Sequence, residues 1–265
     1  KLRALLVKSN QVVIIGGGFI GSEIAASLAM NGKKVTMIFP ETAIGARVYP
    51  LSLASFLNSY YELKGVTVLP NDSVHGIEKN NFGYTLTTKS GQSLKADIVI
   101  AGIGVKPNTT LAEQAEITTE NGIVVDENLR TNDPDIFAAG DVANFYSPIL
   151  GKRVRVEHED NANVMGAFAG KNMAGANEPY HYMPFFYSDL FDLGYEAVGE
   201  LDARLDMVEA WKEPFKEGVV YYLEKGRVRG VLLWNTWGQL DHARALIAEE
   251  GSFNDANLKG RLPKE

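Results

Sequence analysis

Cysteine is missing from all 265 residues, which removes disulfides, thiolate metal sites and any redox dithiol from the chemistry open to this chain. Histidine is scarce. The four present (His75, His158, His181, His242) do not stand at metal-ligand spacing, and no metal site is expected. Basic residues are outnumbered, 26 Lys and Arg against 33 Asp and Glu, for a net charge of −7. A sequence-independent grip on nucleic acid needs a basic face, and this balance argues against one. No apolar run approaches the roughly 20 residues of a bilayer crossing. No secretory leader, internal repeat or low-complexity tract is visible, and a cytoplasmic location is expected, or a mitochondrial one in a eukaryote.

What is present is a hydrophobic content of 45%, enough for one large domain or two smaller ones with real cores. The stretch Gln11–Glu23, QVVIIGGGFIGSE, organises the rest. Val12 to Ile15 form a short apolar run rich in β-branched residues, which reads as a strand buried on both faces. Gly16, Gly18 and Gly21 follow in G-x-G-x-x-G spacing, and from Phe19 the apolar positions (Ile20, Ile24, Ala25, Leu28, Ala29) fall at helical intervals. A glycine turn between strand and helix suits a dinucleotide. Gly16 permits the tight turn, Gly18 lets the backbone approach a pyrophosphate, and Gly21 allows close helix–strand packing. The helix start then points unpaired N–H groups and the positive dipole end at the ligand. Lys34–Phe39 reads as a second strand, and Glu41 stands twenty residues past Gly21, where a carboxylate can accept both ribose hydroxyls of an adenosine. Taken alone, Glu41 is an ordinary solvated loop charge; in register with the motif it favours NADH over NADPH. Arg47 weakens that preference, since it could pair with a 2′-phosphate.

Leu51–Lys64 has the spacing of an amphipathic helix closed by Gly65, and Val66–Leu69 that of a third strand. Between Asp72 and Ala96 the segments shorten and alternate, as in an antiparallel meander inserted into an α/β domain. Asp97–Ala101 returns to a buried strand, and Asn121–Leu129 reads as a turn and a strand. Asp135–Ala139, DIFAA, reads as another buried strand, running into Gly140-Asp141. A strand-end Gly-Asp can offer a carboxylate to a ligand hydroxyl, or be an ordinary turn with Asp141 as a helix N-cap. Val156–Met173 is helical after a polar start in which Glu157, His158, Glu159 and Asp160 are consecutive. They can serve the helix dipole, or face a cofactor, with His158 donating to a carbonyl oxygen. From Tyr182 the texture is β-rich, with a closing helix near Gln239–Glu250.

The runs GGGFIGSE, IFPE, GIGVKPN (102–108), FAAGDVANFY (137–146), RVEHEDNANVMGAFAGKNMAGA (155–176), FFYSDLF (185–191), GYEAVG (194–199) and VLLWN (231–235) occur in that order. Together they resemble the apoptosis-inducing factor branch of the two-dinucleotide flavoprotein reductases, the FAD/NAD(P)-dependent pyridine nucleotide-disulfide oxidoreductases, and more loosely ferredoxin and rubredoxin reductases. The resemblance implies a Rossmann-like NADH-binding domain with an inserted meander over 11–128 after a lead-in over 1–10. It further implies a returning segment of the FAD domain over 129–176 and an α+β dimerisation or interface domain over 177–265. It implies that Gly16, Gly18, Phe19, Ile20 and Gly21 hold the NADH pyrophosphate, Glu41 the adenosine ribose with Arg47 beside it, and that Gly104 passes the nicotinamide. Gly140 and Asp141 would meet the ribityl chain of FAD, with Glu157, His158 and Tyr187 near the flavin ring. Glu23, by the nicotinamide amide or paired with a lysine of the flavin domain, and His158 are the catalytic candidates. The segment that binds the ADP half of FAD in this family is not seen here, so a fragment of a longer enzyme, binding FAD weakly alone, is expected. The implied activity is hydride transfer from NADH to FAD and on to an acceptor such as ferredoxin, rubredoxin, quinone or oxygen. The competing function is an NADH-controlled, redox-sensing protein that associates as a homodimer.

Overall fold

Val12, Val13 and Ile14 are closed off from solvent at the centre of a four-stranded parallel sheet. The computed structural model describes residues 2–264. After α1 (Leu2–Leu6), strand β1 (Gln11–Ile15) runs into α2 (Phe19–Met30), β2 (Lys34–Ile38), α3 (Leu51–Leu63) and β3 (Thr67–Leu69). The meander follows as β4 (Val74–Asn80), β5 (Gly83–Thr88) and β6 (Ser93–Ala96), an antiparallel sheet of its own, before the chain returns through β7 (Ile98–Ala101). Sheet order is β3-β2-β1-β7, with Val12 opposite both Val35 and Ile98. This is the expected Rossmann-like α/β class, and it places the ends of β1, β2 and β7 side by side.

Two carboxylates tie the meander to this sheet. Asp97 accepts the backbone N–H groups of Asn10 and Gln11 at 2.7 and 2.9 Å, and these bonds hold its pKa below the usual value. Asp72 accepts from the Ser90 hydroxyl at 2.6 Å and from the backbone of Ser73 and Ser90, which lowers its pKa to about 2.

Helix α2 does not pack as its apolar spacing suggests. Gly21, Ser22, Ala25, Ala26 and Leu28 are buried, whereas Phe19 and Ile20 are 42% and 51% exposed. The helix lies on its small residues, because only these let it approach the sheet closely, and its larger first-turn side chains are left for the cleft.

The next segment departs further from expectation. After α4 (Thr110–Gln114), β8 (Ile123–Val124) is only two residues long. The anticipated strand at Asp135–Ala139 does not form. Its pairing is limited to a bridge between Arg130 and Phe137, and Ile136 is 39% exposed. A strand persists only where a neighbour completes its ladder, and here two backbone bonds, from Thr131 to Ile136 and from Ala138 to Leu129, close a tight loop instead. Gly140, at φ +75°, then turns the chain. The ladder instead involves β9 (Ala143–Ser147) and β10 (Lys152–Val154), not foreseen as strands, in a sheet ordered β10-β9-β8. Helix α5 (Glu159–Met173) covers it through Met165 and Ala169.

The β-rich remainder is a five-stranded antiparallel sheet ordered β11-β12-β15-β14-β13: β11 (Phe185–Leu190), β12 (Leu193–Gly199), β13 (Asp206–Glu213), β14 (Glu217–Glu224) and β15 (Arg227–Trp234). One face carries α6 (Leu240–Ala248) and α7 (Asp255–Leu258), with Ile247 of α6 packed among Val198, Val231 and Leu233 of the sheet. The other shares a core with the parallel-sheet unit. There Trp234 stacks on Tyr195, centroids 5.7 Å apart, and Tyr49 meets both rings edge-on at 5.8 Å. Tyr222 donates to the Val48 carbonyl at 2.9 Å, and the Ala203 N–H to that of Arg47 at 3.0 Å. The loop 42–50 is thus held by the C-terminal sheet.

The Asp72 contacts make an acid-stability prediction. A carboxylate depressed in the folded state stabilises it fully above its unfolded pKa, about 3.9, and loses that effect as pH falls through its folded value of about 2. Thermal melts should show Asp72→Asn melting below wild type at pH 7, with the two curves converging between about pH 4 and pH 2. A constant gap across that range would contradict the assignment.

Candidate functional site

A groove of about 380 Å³ opens where β1 gives way to α2. Its walls are the glycine turn, the first residues of α2, Glu41 after β2, the loop carrying Arg47, and Gly102 to Val105 after β7. The three glycines have distinct duties. Gly16 has φ +112°, and a Cβ there would lie 2.3 Å from the Gly102 carbonyl oxygen. A Cβ on Gly21 would lie 2.1 Å from the Gly16 carbonyl oxygen. Both serve packing, and Gly21 is set behind the groove rather than on its wall. Gly18 is different: its φ of −82° suits any residue, and nothing lies within 4 Å of its Cβ position. The first bond within α2 runs from the Ser22 N–H to the Gly18 carbonyl at 2.9 Å. The N–H groups of Phe19, Ile20 and Gly21 therefore have no intrahelical acceptor, and no acidic side chain stands in that turn. Unpaired N–H groups at a helix start can receive an anion.

Glu41 and Arg47 pair across the groove at 2.5 Å, with the Arg47 side chain 82% exposed. Gly104, at φ +96°, forms the opposite lip.

A second, wider cleft of about 980 Å³ joins the first. Phe19, Ile20, Val48 and Glu157 line both. Glu23, Asp141, His158 and Tyr187 line the wide cleft, so most of the residues singled out from sequence converge at the mouth of α2. Asp141 exposes its carboxylate in a short 3₁₀ turn, Gly140–Val142. Gly140 is buried and shapes that turn; its N–H faces the Met165 Sδ at 3.2 Å. Glu157 pairs with Arg155 at 2.5 Å, and the same guanidinium donates to the Asp141 carbonyl at 2.9 Å and to Asn121 at 3.3 Å. His158 caps α5, its Nδ1 facing the Asp160 N–H at 3.4 Å, while Nε2 faces the Tyr187 N–H at 3.5 Å. Both ring nitrogens look at donors, and a neutral imidazole can accept at only one. The arrangement differs from a histidine poised to donate to a carbonyl. Tyr187 is half exposed, its ring edge-on to His158 at 5.1 Å.

Three contributors were not singled out from sequence. Arg155 orders the Asp141 and Glu157 segments together. Ser188, on β11, donates to Glu23 Oε1 at 2.6 Å. Tyr195 lines the wide cleft yet is fully buried, and burial pushes its pKa well above the usual value, as it does for Tyr49. Arg155 and Ser188 sit inside quoted motifs, but only tertiary contact reveals their partners. Among the described residues, no group of three His, Cys, Asp or Glu could hold a metal ion, and no helix is long and apolar enough to cross a membrane.

Because Gly18 alone faces open groove, Gly18→Val should fold with a melting temperature near wild type and lose nucleotide binding by two orders of magnitude or so in calorimetry. Gly21→Val should instead unfold, having no room for a side chain.

Comparison with known proteins places the fold in a family. Residues 1–166 match the family model of the pyridine nucleotide-disulphide oxidoreductases, and residues 169–214 and 206–249 match that of the C-terminal region of mitochondrion-associated apoptosis-inducing factor. The chain is 30% identical to a Drosophila melanogaster putative apoptosis-inducing factor 1, over 99% of its own length and 43% of the relative's. It is 37% identical to Arabidopsis thaliana monodehydroascorbate reductase 3, over 86% of its length and 54% of the relative's. A crystal structure of a ferredoxin reductase from Rhodopseudomonas palustris superposes with a TM-score of 0.85 at 29% identity, over 96% of this chain and 63% of that one. The chain thus spans about half the length of the curated relatives it matches. With the strand–glycine–helix groove and the C-terminal sheet both accounted for, the chain belongs to the pyridine nucleotide-disulphide oxidoreductase family, in its apoptosis-inducing factor-like branch.

Proposed function

We propose that this chain supplies the NADH-binding and C-terminal parts of an FAD-dependent NADH oxidoreductase that passes electrons to a small redox protein of the ferredoxin class. The observation carrying this reading is the shared wall of Phe19, Ile20, Val48 and Glu157. A dinucleotide seated with its pyrophosphate at Gly18 and its ribose at Glu41 lies along the narrow groove and ends where the wide cleft begins. The ferredoxin acceptor rests on the likeness to a ferredoxin reductase.

The wide cleft fits a flavin in its polar and aromatic lining: Asp141 offers a carboxylate, and His158, Tyr187 and Phe186 offer ring surface. When bound, the flavin supplies a two-electron acceptor for the nicotinamide hydride. The chain's own residues bind, align and exclude water. The N–H groups opening α2 take the pyrophosphate charge. Glu41 accepts from the ribose hydroxyls, and Arg47 holds it in place. Asp141 accepts from a ribityl hydroxyl. Glu23 accepts from the nicotinamide amide, and the apolar walls at Phe19, Ile20 and Val48 exclude water from the junction. No side-chain proton transfer is needed, because this step is one of alignment.

NADH-dependent association is a second reading, supported by the hold of the C-terminal sheet on the Arg47 loop through Tyr222 and Ala203. An NADH-induced mass change in sedimentation velocity would support it, and an unchanged mass would remove it.

A 2′-phosphate would meet the Glu41 carboxylate, so calorimetry should show NADH binding roughly tenfold or more tighter than NADPH. Glu41→Ala should narrow that ratio mainly by weakening NADH. Absence of heat with NADH would overturn the function.

A further inference from the structure

Tyr222 reaches the narrow groove without lining it. Its ring is fully buried on β14, in the core shared with the parallel-sheet unit, and its hydroxyl donates to the Val48 carbonyl at 2.9 Å. Burial pushes its pKa well above the usual value, so the phenol remains a donor at physiological pH. One residue earlier in the same loop, the Arg47 carbonyl accepts from the Ala203 N–H at 3.0 Å, from the turn between β12 and β13. The C-terminal unit therefore bonds two consecutive carbonyls. A peptide unit is planar, so each bond fixes the Cα atoms at both of its ends, and together they hold Arg47, Val48 and Tyr49. The loop is also joined to the glycine turn, where the Gly45 N–H donates to the Gly17 carbonyl at 2.9 Å. Arg47, Val48 and Gly45 all line the narrow groove. Among the described residues the mostly exposed Arg47 side chain has Glu41 as its one ionic partner. Where the guanidinium falls is set by the backbone beneath it.

We propose that Tyr222 is a positioning residue for nucleotide specificity. Its bond to the Val48 carbonyl holds the loop so that Arg47 meets Glu41 and keeps that carboxylate turned to the adenosine ribose. Loss of the bond frees Arg47 to leave Glu41 for a 2′-phosphate. The inference rests on the reading of the narrow groove as the NADH site, and it moves control of the choice between the two nucleotides to a residue outside that groove. The physical reason is order: a loop held beforehand loses less freedom when the ligand arrives. By reciprocity, a ligand that holds the loop strengthens the bonds reaching it from the sheet.

The test is calorimetry of the full chain with NADH and with NADPH. Tyr222→Phe should weaken NADH roughly three- to tenfold and NADPH by less than about twofold, which narrows the preference. Tyr221→Phe is the control. Tyr221 is equally buried on β14 but faces the other side of the sheet, where its hydroxyl accepts from the Leu262 N–H at 3.1 Å. Its loss should lower the melting temperature and leave the preference unchanged. In an Arg47→Ala background Tyr222→Phe should not alter the preference further. An unchanged preference in Tyr222→Phe, equal losses for both nucleotides, the same narrowing in Tyr221→Phe, or a further change in the Arg47→Ala background overturns the proposal. If Tyr222→Phe fails to melt cooperatively, hydrogen exchange on the wild-type chain decides. NADH should slow exchange of the Ala203 amide, whose acceptor is the Arg47 carbonyl, and leave that of Leu262 unchanged. No slowing at Ala203, or equal slowing at both, overturns the proposal. Wild-type chain that gives no heat with either nucleotide refutes the reading of the groove, whereas wild-type chain that prefers NADH while Tyr222→Phe keeps that preference refutes the role of Tyr222 alone.

Discussion

Everything in the site depends on the close approach of a helix to the turn that precedes it. Gly21 lies so near the Gly16 carbonyl that a methyl group would overlap it, and Gly16 lies equally near Gly102. Three backbone segments therefore meet with no side chain between them. That contact fixes where α2 begins and leaves its unpaired N–H groups aimed at the groove. It also sets the separation between the Glu41 loop and the Gly104 loop, which follow the ends of β2 and β7 on either side of β1. The helix meets the sheet through glycine, serine and alanine, so its bulkier side chains, Phe19 and Ile20, become the wall shared by both clefts.

A second constraint acts from the far side of the molecule. The loop carrying Arg47 has no regular structure of its own, yet its position is closely determined. Tyr49 is enclosed by Tyr195 and Trp234, the Val48 carbonyl is bonded by Tyr222, and the Arg47 carbonyl by the Ala203 N–H. The C-terminal sheet thus does more than add bulk: it holds the loop that forms one wall of the narrow groove and, through β11, supplies part of the wall of the wide cleft. A single apolar core runs from Ile14 and Leu53 through Tyr49 to Tyr222 and Trp234. Such continuity joins the two units through one core, with the Arg47 loop between them.

The charges at the junction are arranged in neutralised pairs. Glu41 faces Arg47, and Glu157 faces Arg155, whose guanidinium also gathers the Asp141 segment. Glu23, steadied by a neutral hydroxyl, and Asp141, whose carboxylate is exposed, stand outside these pairs. The clefts consequently offer acceptors at set positions rather than a strong field, which suits cofactors that bring reactive chemistry of their own and need alignment.

Much of the parallel-sheet unit was legible in the sequence, because its signals are local. An apolar β-branched run, three glycines at fixed spacing and a change from strand to helical periodicity each need only a few neighbouring residues. The meander was equally plain, since its turns are short. Asp135–Ala139 misled because its composition is that of a buried strand, while strandhood depends on a partner that composition cannot name; β9 and β10 escaped for the same reason. The apolar spacing of α2 does not by itself name its packed side, because the helix rests mainly on glycine, serine and alanine together with Leu28. By itself, then, the sequence determined the glycine turn, the order of the elements and the carboxylate after the second strand, all consequences of backbone conformation at nearby positions. Only the tertiary structure decided that Ser188 meets Glu23, that Arg155 joins two segments, and that Tyr222 and Trp234 hold the Arg47 loop, because hydrogen bonds and ring contacts between separate segments of the chain follow from how layers pack, and packing has no local signature.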